Sequence, residues 1–201
     1  MKQYDRGTVS GLSPIVAILA LLGVLAASGL VTPLSAQGTL RIAAYNIKHG
    51  LGMDSVIDLE RVADVLRPLN ADVITLQEMD TGVERTSGVD QARVLGDLLG
   101  MTPHFGAFMP YQGGEYGMAV LTRLPVLGVD NVRLPDGDEP RTALSVSVSV
   151  GGRPVSVVGI HFYRTPEERR AQAEALDEWL SDVDHPVVLA GDFNSRRGDL
   201  V

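Results

Sequence analysis

The sequence predicts one α/β domain, built on a mixed sheet or on two packed sheets, with helices on the outside. Predicted strands and helices alternate at the start and the end of the domain, whereas consecutive strands fill its middle. The chain has 201 residues, of which 45% are hydrophobic and 21% are charged, which suits a single hydrophobic core. The sequence contains no internal repeat, low-complexity tract or linker to a second domain.

Two strand–helix units open the domain. Residues 40–45 form the first predicted strand, and a glycine-containing loop follows it. The first helix begins after Asp58, which is a favourable N-cap, carries apolar residues at helical spacing and ends at Pro68. Residues 73–77 form the second strand. A polar loop then leads to a second helix that stops at Gly100.

Five strands, a long helix and a last strand complete the pattern. The five strands are predicted at residues 105–109, 116–122, 126–132, 142–150 and 155–160. Serine and valine alternate over residues 145–150, so one face of this strand covers a core, and Gly151-Gly152 forms a hairpin turn after it. Thr-Pro-Glu-Glu at residues 165–168 matches a capping box with proline at the first helical position. This helix is expected to reach Leu180, and the last strand covers residues 187–190.

The charge balance narrows the choice of ligands. Strong, sequence-independent binding to nucleic acid requires many Lys and Arg side chains, but the net charge of this chain is −8. Small phosphoesters or lipid headgroups, held through a bound metal, are therefore easier substrates than long nucleic acids. The lack of cysteine excludes disulfides and thiolate metal sites. No feature of the sequence predicts a stable protein partner.

The first 36 residues are predicted to be a targeting segment that directs export. A positively charged start precedes residues 14–31, which are continuously apolar and uncharged. Ser35-Ala36 matches a signal-peptidase site, except that Leu34 stands where a small residue is usual. The apolar stretch is just long enough to span a bilayer, so a retained membrane anchor is the alternative to cleavage. The folded domain is expected to cover residues 39–201.

Four apolar strands end in residues that can bind a metal or transfer a proton. These residues are Asn46, Glu78, His161, and Asp192 with Asn194 two positions later. In sheets flanked by helices, sites tend to be built at the strand ends. Asp192 and Asn194 are expected to point the same way because strand side chains alternate, and a carboxylate beside a carboxamide can orient and deprotonate water. Each residue alone has an ordinary structural role, but the set in this order predicts a site.

The oxygen-bearing members of this set predict a site for a hard cation. Mg²⁺ prefers oxygen ligands, usually one or two carboxylates together with waters and substrate phosphate, and Glu78 with the amide oxygen of Asn46 fits that preference. A zinc site is not expected, because cysteine is absent and the four histidines are not paired at helical spacing. A metal, Asp192 and His161 together could polarise a phosphoryl group and activate water.

Six short motifs occur along the chain in a characteristic order. They are Tyr45-Asn46-Ile47, Leu76-Gln77-Glu78, Tyr-Gly-Met-Ala-Val-Leu-Thr-Arg at residues 116–123, Pro-Arg-Thr-Ala-Leu at residues 140–144, Gly-Ile-His-Phe at residues 159–162, and Gly-Asp-Phe-Asn at residues 191–194. In this order they resemble the endonuclease/exonuclease/phosphatase superfamily, the deoxyribonuclease I-like group of metal-dependent phosphoesterases. The resemblance covers about residue 39 to the C-terminus. It implies a four-layered α/β/β/α sandwich with Mg²⁺ or Mn²⁺ at one end, held in part by Asn46 and Glu78.

The resemblance also implies roles for the remaining candidates. Asp192 would position or deprotonate the nucleophilic water, and Asn194 would orient the phosphate or Asp192. His161 would contact the scissile phosphate or help to stabilise charge, with Arg141 as a supporting residue that binds substrate. Apart from the resemblance, residues 111–116 are a candidate specificity segment, and Tyr116 is its candidate substrate-binding residue.

Two departures from the family pattern bear on activity. The family often has Thr-His-Leu-Asp where this chain has Ile-His-Phe-Tyr, so Tyr163 replaces an expected acid. The family's C-terminal Ser-Asp-His segment and its strands are not found in these 201 residues. The loss of a catalytic group commonly lowers the rate by orders of magnitude, and the loss of strands exposes a sheet edge. The sandwich is therefore expected to be incomplete at the C-terminus.

The sequence leaves three interpretations of function open. The first is an exported, metal-dependent phosphodiesterase or phosphatase, from a superfamily that acts on DNA, RNA, sphingolipids, inositol phosphates and cyclic phosphates. The second is a truncated or degenerate member that binds a ligand or partner without turnover, which both departures favour. A third interpretation, a membrane-anchored structural protein, rests only on residues 14–31 and does not explain the polar strand ends.

Overall fold

The computed structural model describes residues 39–196, which form two mixed four-stranded sheets with helices outside them. The first sheet has the order β1-β2-β4-β3 and consists of β1 (Ile42–Asn46), β2 (Val73–Thr81), β3 (Thr102–Tyr111) and β4 (Gly114–Thr122). The second sheet has the order β5-β6-β7-β8 and consists of β5 (Val126–Arg133), β6 (Thr142–Val150), β7 (Arg153–His161) and β8 (Val187–Asp192). β1 pairs in parallel with β2, and β7 with β8, while the other pairs are antiparallel.

Within residues 39–196, three α-helices flank the sheets. They are α1 (Leu59–Leu66), α2 (Gln91–Leu99) and α3 (Pro166–Leu180). The predicted cap of α1 is confirmed, because the Asp58 carboxylate accepts the backbone N–H of Arg61 at 2.9 Å. Gly100 ends α2 as predicted, with a left-handed φ of 64° that glycine adopts without strain. None of the helices in residues 39–196 has the length and apolar character needed to cross a membrane. The predicted targeting segment lies outside the described residues.

Three apolar clusters separate four layers, which confirms the α/β/β/α sandwich. Helices α1 and α2 pack on the outer face of the first sheet through Val62, Leu66, Leu95, Ile74 and Leu121. The two sheets pack on each other through Val73, Met118, Val120, Val146 and Val157. Helix α3 covers the outer face of the second sheet through Leu176, Val158 and Ile160. Ser-Val alternation therefore places the valines of β6 between the sheets, as the period of a half-buried strand requires.

The predicted capping box at the start of α3 is wrong. Pro166 does occupy the first turn, but the Thr165 side chain makes no capping bond to the helix backbone. Its hydroxyl instead donates to the carboxylate of Glu168. The other oxygen of Glu168 accepts the backbone N–H of Asp138, at 2.6 Å. Glu168 therefore ties the loop before β6 to the start of α3.

Candidate active site

The ends of β1, β7 and β8 and a bulge within β2 meet at one edge of the sandwich. Asn46 is the last residue of β1, one position beyond the end predicted for this strand. His161 and Asp192 are the last residues of β7 and β8 and are direct partners in the parallel register. The Nδ2 atom of Asn46 donates to Oδ2 of Asp192 at 3.2 Å, and this hydrogen bond joins the two sheets.

Glu78 reaches the site through a β-bulge and not through a strand end. β2 continues to Thr81 and pairs with β4 on both sides of Glu78, with a register shift between Gln77 and Met79. The φ angle of Glu78 is 59°, in the left-handed region that non-glycine residues rarely adopt. A bulge changes the direction of a side chain within a strand, and backbone strain of this kind clusters at functional sites. The prediction that β2 ends at Gln77 is wrong, although Glu78 does lie at the site.

Asn46 brings the two carboxylates together. Its Nδ2 atom lies 2.8 Å from Oε1 of Glu78 and 3.2 Å from Oδ2 of Asp192. The amide oxygen of Asn46 accepts the backbone N–H of Lys48 at 3.1 Å. The amide nitrogen therefore faces both carboxylates, whereas the sequence-based hypothesis assigned the oxygen to the metal.

Asp192 is fixed by its neighbours along the chain. A Cβ atom on Gly191 would lie only 2.0 Å from the carbonyl oxygen of Ile160, so only glycine allows β8 to approach β7 this closely. Oδ1 of Asp192 accepts the backbone N–H of Asn194 at 2.9 Å. Asn194 lies beyond the strand, with φ at 49°, and its Nδ2 donates to the carbonyl of Phe162 at 2.7 Å. Strand alternation therefore does not place Asn194, which instead orients Asp192 through its backbone.

His161 is a buried, neutral histidine beside Asp192. Only 4% of the residue is exposed, and its Nε2 lies 3.7 Å from Oδ2 of Asp192. Burial lowers the pKa of His161 below 6.5, the positive charge of Arg141 lowers it further, and the negative charge of Asp192 opposes both effects. At neutral pH, His161 therefore offers a hydrogen bond and not a positive charge.

The lowered pKa predicts that acid destabilises the fold through His161. The unfolded chain binds a proton at this residue near pH 6.5 but the folded chain does not, so the free energy of unfolding falls as the pH drops below about 6.5. In His161→Gln this loss is expected to be smaller between about pH 7 and pH 5. Urea denaturation of wild type and His161→Gln in EDTA at several pH values measures this change in the free energy of unfolding. If the free energy of unfolding depends on pH in the same way in wild type and variant, the pKa of His161 does not fall on folding.

A cleft of about 350 Å³ contains most of the predicted site residues. Its lining consists of Glu78, Tyr116, Glu139, Arg141, His161, Tyr163, Arg164, Asp192 and Asn194. Asn46 is hydrogen-bonded to two of these residues. Glu139 and Arg164 were not predicted from the sequence. Their proximity to the Pro-Arg and Gly-Ile-His-Phe motifs is the one sequence signal that could have indicated them.

Arg141 and Tyr116, the two predicted substrate-binding residues, both line this cleft. Arg141 is only 5% exposed, pairs with Glu139, and lies over the ring of Phe108 with 5.0 Å between guanidinium carbon and ring centre. The buried ring of Tyr116 packs edge-on against Phe108, with 5.7 Å between the centres. Burial and the negative charge of Glu78 raise the pKa of Tyr116, so its hydroxyl stays protonated.

The side chains at this edge suit a hard divalent cation. Two carboxylates, from Glu78 and Asp192, approach one amide. No group of three or more His, Asp or Glu side chains within residues 39–196 is arranged to hold a metal by itself. Mg²⁺ usually takes one or two carboxylates and completes its shell with water and substrate oxygens, whereas structural zinc takes four protein ligands. The donors present therefore fit magnesium or manganese better than zinc.

Comparison with known proteins agrees with this architecture. YbhP of Escherichia coli K12, named as an uncharacterized protein, is 28% identical over 174 residues, which cover 80% of this chain and 69% of YbhP. A crystal structure of an endonuclease/exonuclease/phosphatase from Beutenbergia cavernae is 29% identical, with a TM-score of 0.64. The match covers 80% of this chain but only 49% of that one, so this chain spans about half its length. A functionally unknown Enterococcus faecalis protein (21% identity, TM-score 0.67, 80% and 69% covered) shares the fold.

The family assignment follows from the sequence profile that matches most of the chain. The profile of the Endonuclease/Exonuclease/phosphatase family matches residues 43–200. This range includes β1, the Glu78 bulge, His161 and Asp192. Members of this family are generally hydrolases that act on phosphoesters. The chain belongs to the Endonuclease/Exonuclease/phosphatase family.

Proposed function

We propose that this protein is an exported, divalent-metal-dependent hydrolase of phosphoester bonds. The observation that carries the proposal is the meeting of Glu78 and Asp192 at Asn46. These carboxylates lie 32 and 146 residues from Asn46 in the sequence, yet both are within hydrogen-bonding distance of its amide nitrogen. Two carboxylates that share one amide donor concentrate negative charge at one place, and a divalent cation would offset their mutual repulsion.

Each residue of the cleft has a role in this proposal. Glu78, with Asn46 beside it, would hold Mg²⁺ or Mn²⁺, which when bound supplies positive charge to the phosphoryl oxygens. Asp192, oriented by the backbone N–H of Asn194, would take a proton from the attacking water. Neutral His161 would donate a hydrogen bond to a phosphoryl oxygen. Arg141, which is always charged, would stabilise the negative charge that develops there.

The volume of the cleft and the net charge of the protein favour a small substrate. The cleft of about 350 Å³ is at the lower end of ligand pockets, which span about 300–1,000 Å³. The net charge of −8 disfavours binding along an extended phosphate backbone. We therefore place small phosphoesters and lipid headgroups ahead of long nucleic acids. Export rests on the targeting segment predicted over residues 1–36. Cell fractionation would distinguish a secreted from an anchored form.

Metal dependence is the first test of this proposal. The full 201-residue chain is expected to hydrolyse bis(4-nitrophenyl) phosphate or 4-nitrophenyl phosphate with Mg²⁺ or Mn²⁺, to lose this activity in EDTA, and to regain it with excess metal. Glu78→Gln removes a ligand charge, so the metal concentration for half-maximal activity is expected to rise by about tenfold or more. Glu174→Gln, an exposed change on α3 outside the cleft, is the control and is expected to leave that concentration unchanged.

Three results would contradict the proposal or its parts. Hydrolysis that persists in EDTA would exclude a metal-dependent enzyme. An unchanged metal requirement in Glu78→Gln would remove Glu78 from the metal site. Calorimetric binding of Mn²⁺ without turnover of either ester would favour the alternative, a ligand-binding member of the family.

A further inference from the structure

We propose that the cleft contains a second anion subsite at Arg164, which lies with Arg141 near the ring of Tyr163. The ligand is then a phosphoester that carries a second phosphate or carboxylate group. That this ligand is a substrate rests on the proposed function, whereas the binding of a second anion does not.

Two guanidinium groups lie near the ring of Tyr163. The guanidinium carbon of Arg141 is 5.6 Å from the centre of the Tyr163 ring, and that of Arg164 is 5.7 Å from it. Tyr163 itself is buried, so its ring is a fixed support for both cations. An aromatic ring attracts a cation at such distances, but two cations near one ring also repel each other. An anion bound at Arg164 would offset this repulsion.

The two arginines near the Tyr163 ring differ in their hydrogen-bond and ion-pair partners. Arg141 pairs with Glu139, and its buried Nε has no hydrogen-bond partner within the described part of the chain. Arg164 is exposed and lines the cleft, and no carboxylate among residues 39–196 forms an ion pair with it. An arginine at a cleft wall without an acidic partner is available to a ligand, and guanidinium groups bind carboxylate or phosphate through paired hydrogen bonds.

The backbone that carries Arg164 is held beside Asp192. Arg169 is buried, and its Nη1 donates to the carbonyl of Arg164 at 3.3 Å and to that of Asn194 at 2.7 Å. Asn194 in turn orients the Asp192 carboxylate. One buried guanidinium thus links the backbone of the proposed subsite to the turn that carries Asp192.

Glu168 fixes the other side of the subsite. Its carboxylate accepts from the Thr165 hydroxyl, directly after Arg164, and from the Asp138 backbone in the loop before Arg141. Both arginines are therefore carried by segments tied to the same side chain. This contact explains why Thr165 and Glu168 do not form the predicted capping box. Prior ordering of this kind lowers the entropy cost of binding a ligand.

The test compares probes with one and two phosphonate groups. Methylphosphonate and methylenediphosphonate are titrated calorimetrically into the full chain, once with excess Mg²⁺ and once with EDTA. Neither probe contains an ester bond, so binding is measured without turnover. Wild type is expected to bind methylenediphosphonate more tightly than methylphosphonate. Arg164→Gln is expected to lower this ratio of affinities by about tenfold in both buffers. Its affinity for methylphosphonate is expected to stay unchanged. Chelation of free Mg²⁺ by the probe is the same for every variant and cancels in the comparison.

Arg170→Gln is the matched control. It removes the same charge six positions away, from an exposed site on α3 outside the cleft, and is expected to keep the wild-type preference. Equal losses in Arg164→Gln and Arg170→Gln would overturn the subsite in favour of general electrostatic attraction. An Arg164→Gln preference equal to that of wild type would also overturn it. If the preference for methylenediphosphonate depends on Arg164 but no phosphoester is hydrolysed, the subsite is supported and the proposed function fails. If phosphoesters are hydrolysed but the preference does not depend on Arg164, the proposed function is supported and the subsite fails.

Discussion

Replacing Asp192 with asparagine is expected to lower kcat/KM for phosphoester hydrolysis by about 10³-fold, within the range of about 10²–10⁴ that a general base contributes. Asparagine has the shape of aspartate, and its oxygen can still accept the Asn194 N–H that now lies 2.9 Å from Oδ1. It cannot take a proton from water, so the chemical step is lost. Its amide nitrogen, in place of Oδ2, also cannot accept the 3.2 Å hydrogen bond from Asn46, so a small decrease in melting temperature is expected as well. The measurements are steady-state kinetics with saturating Mg²⁺ and a thermal melt of each variant.

Asp184→Asn provides the control for charge removal. The Asp184 side chain is 98% exposed and lies after α3, outside the cleft. Its replacement is expected to leave kcat/KM unchanged. A tenfold or smaller loss in Asp192→Asn, with an unchanged melt, would show that Asp192 does not act as the base. A large loss accompanied by unfolding of the variant at the assay temperature would instead indicate a structural role.

The strand ends that form the site could be predicted from local sequence pattern. The apolar runs that end at Asn46, His161 and Asp192 were identified correctly because each run is long and is broken by a polar residue where the ladder stops. Glu78 is different. The apolar run of β2 is interrupted by Gln77, which is fully buried and donates to Thr75 at 3.2 Å. A buried polar residue with a partner looks like a strand end in sequence, so the continuation of β2 was missed.

The bulge at Glu78 and the turn at Asn194 depend on contacts between distant segments. The register shift in β2 is set by its pairing with β4, about 40 residues further along the chain. Asn194 is held by the carbonyl of Phe162, which lies 32 residues away in sequence. Hydrophobic periodicity and helix-capping patterns are local, so they contain no information about partners that are distant in sequence. For the same reason they selected most residues of the cleft but did not indicate Arg164 or Glu139.

Polar contacts with distant segments also explain the failed capping box. Thr-Pro-Glu-Glu satisfies the local pattern, but the backbone of Asp138 competes for Glu168. Local side-chain bonds to a helix end stabilise by about 0.5–2 kcal/mol, so one tertiary hydrogen bond is enough to replace them. The site therefore lies where local preference and tertiary contacts disagree, as strained and functional regions often do.

Replacing Arg85 with methionine is expected to lower the free energy of unfolding by about 3 kcal/mol, because it leaves a buried carboxylate unpaired. Asp80 has no exposed surface, and both of its oxygens accept from Arg85 at 2.8 Å. The Arg85 guanidinium also lies 4.6 Å from the ring centre of Tyr111 and 5.4 Å from that of Tyr116. Methionine keeps much of the apolar stem but supplies neither the charge nor the hydrogen bonds. Urea denaturation measures the change.

Two comparisons separate the effect of the buried charge from the effect of losing an arginine. Arg93 pairs with Asp97 on the surface of α2, where the side chains are 64% and 73% exposed, so Arg93→Met is expected to cost less than about 1 kcal/mol. Asp80→Leu combined with Arg85→Met removes both charges and is expected to recover most of the stability lost in Arg85→Met alone. A double variant as unstable as the single one would show that the cost comes from lost packing on Tyr111 and Tyr116.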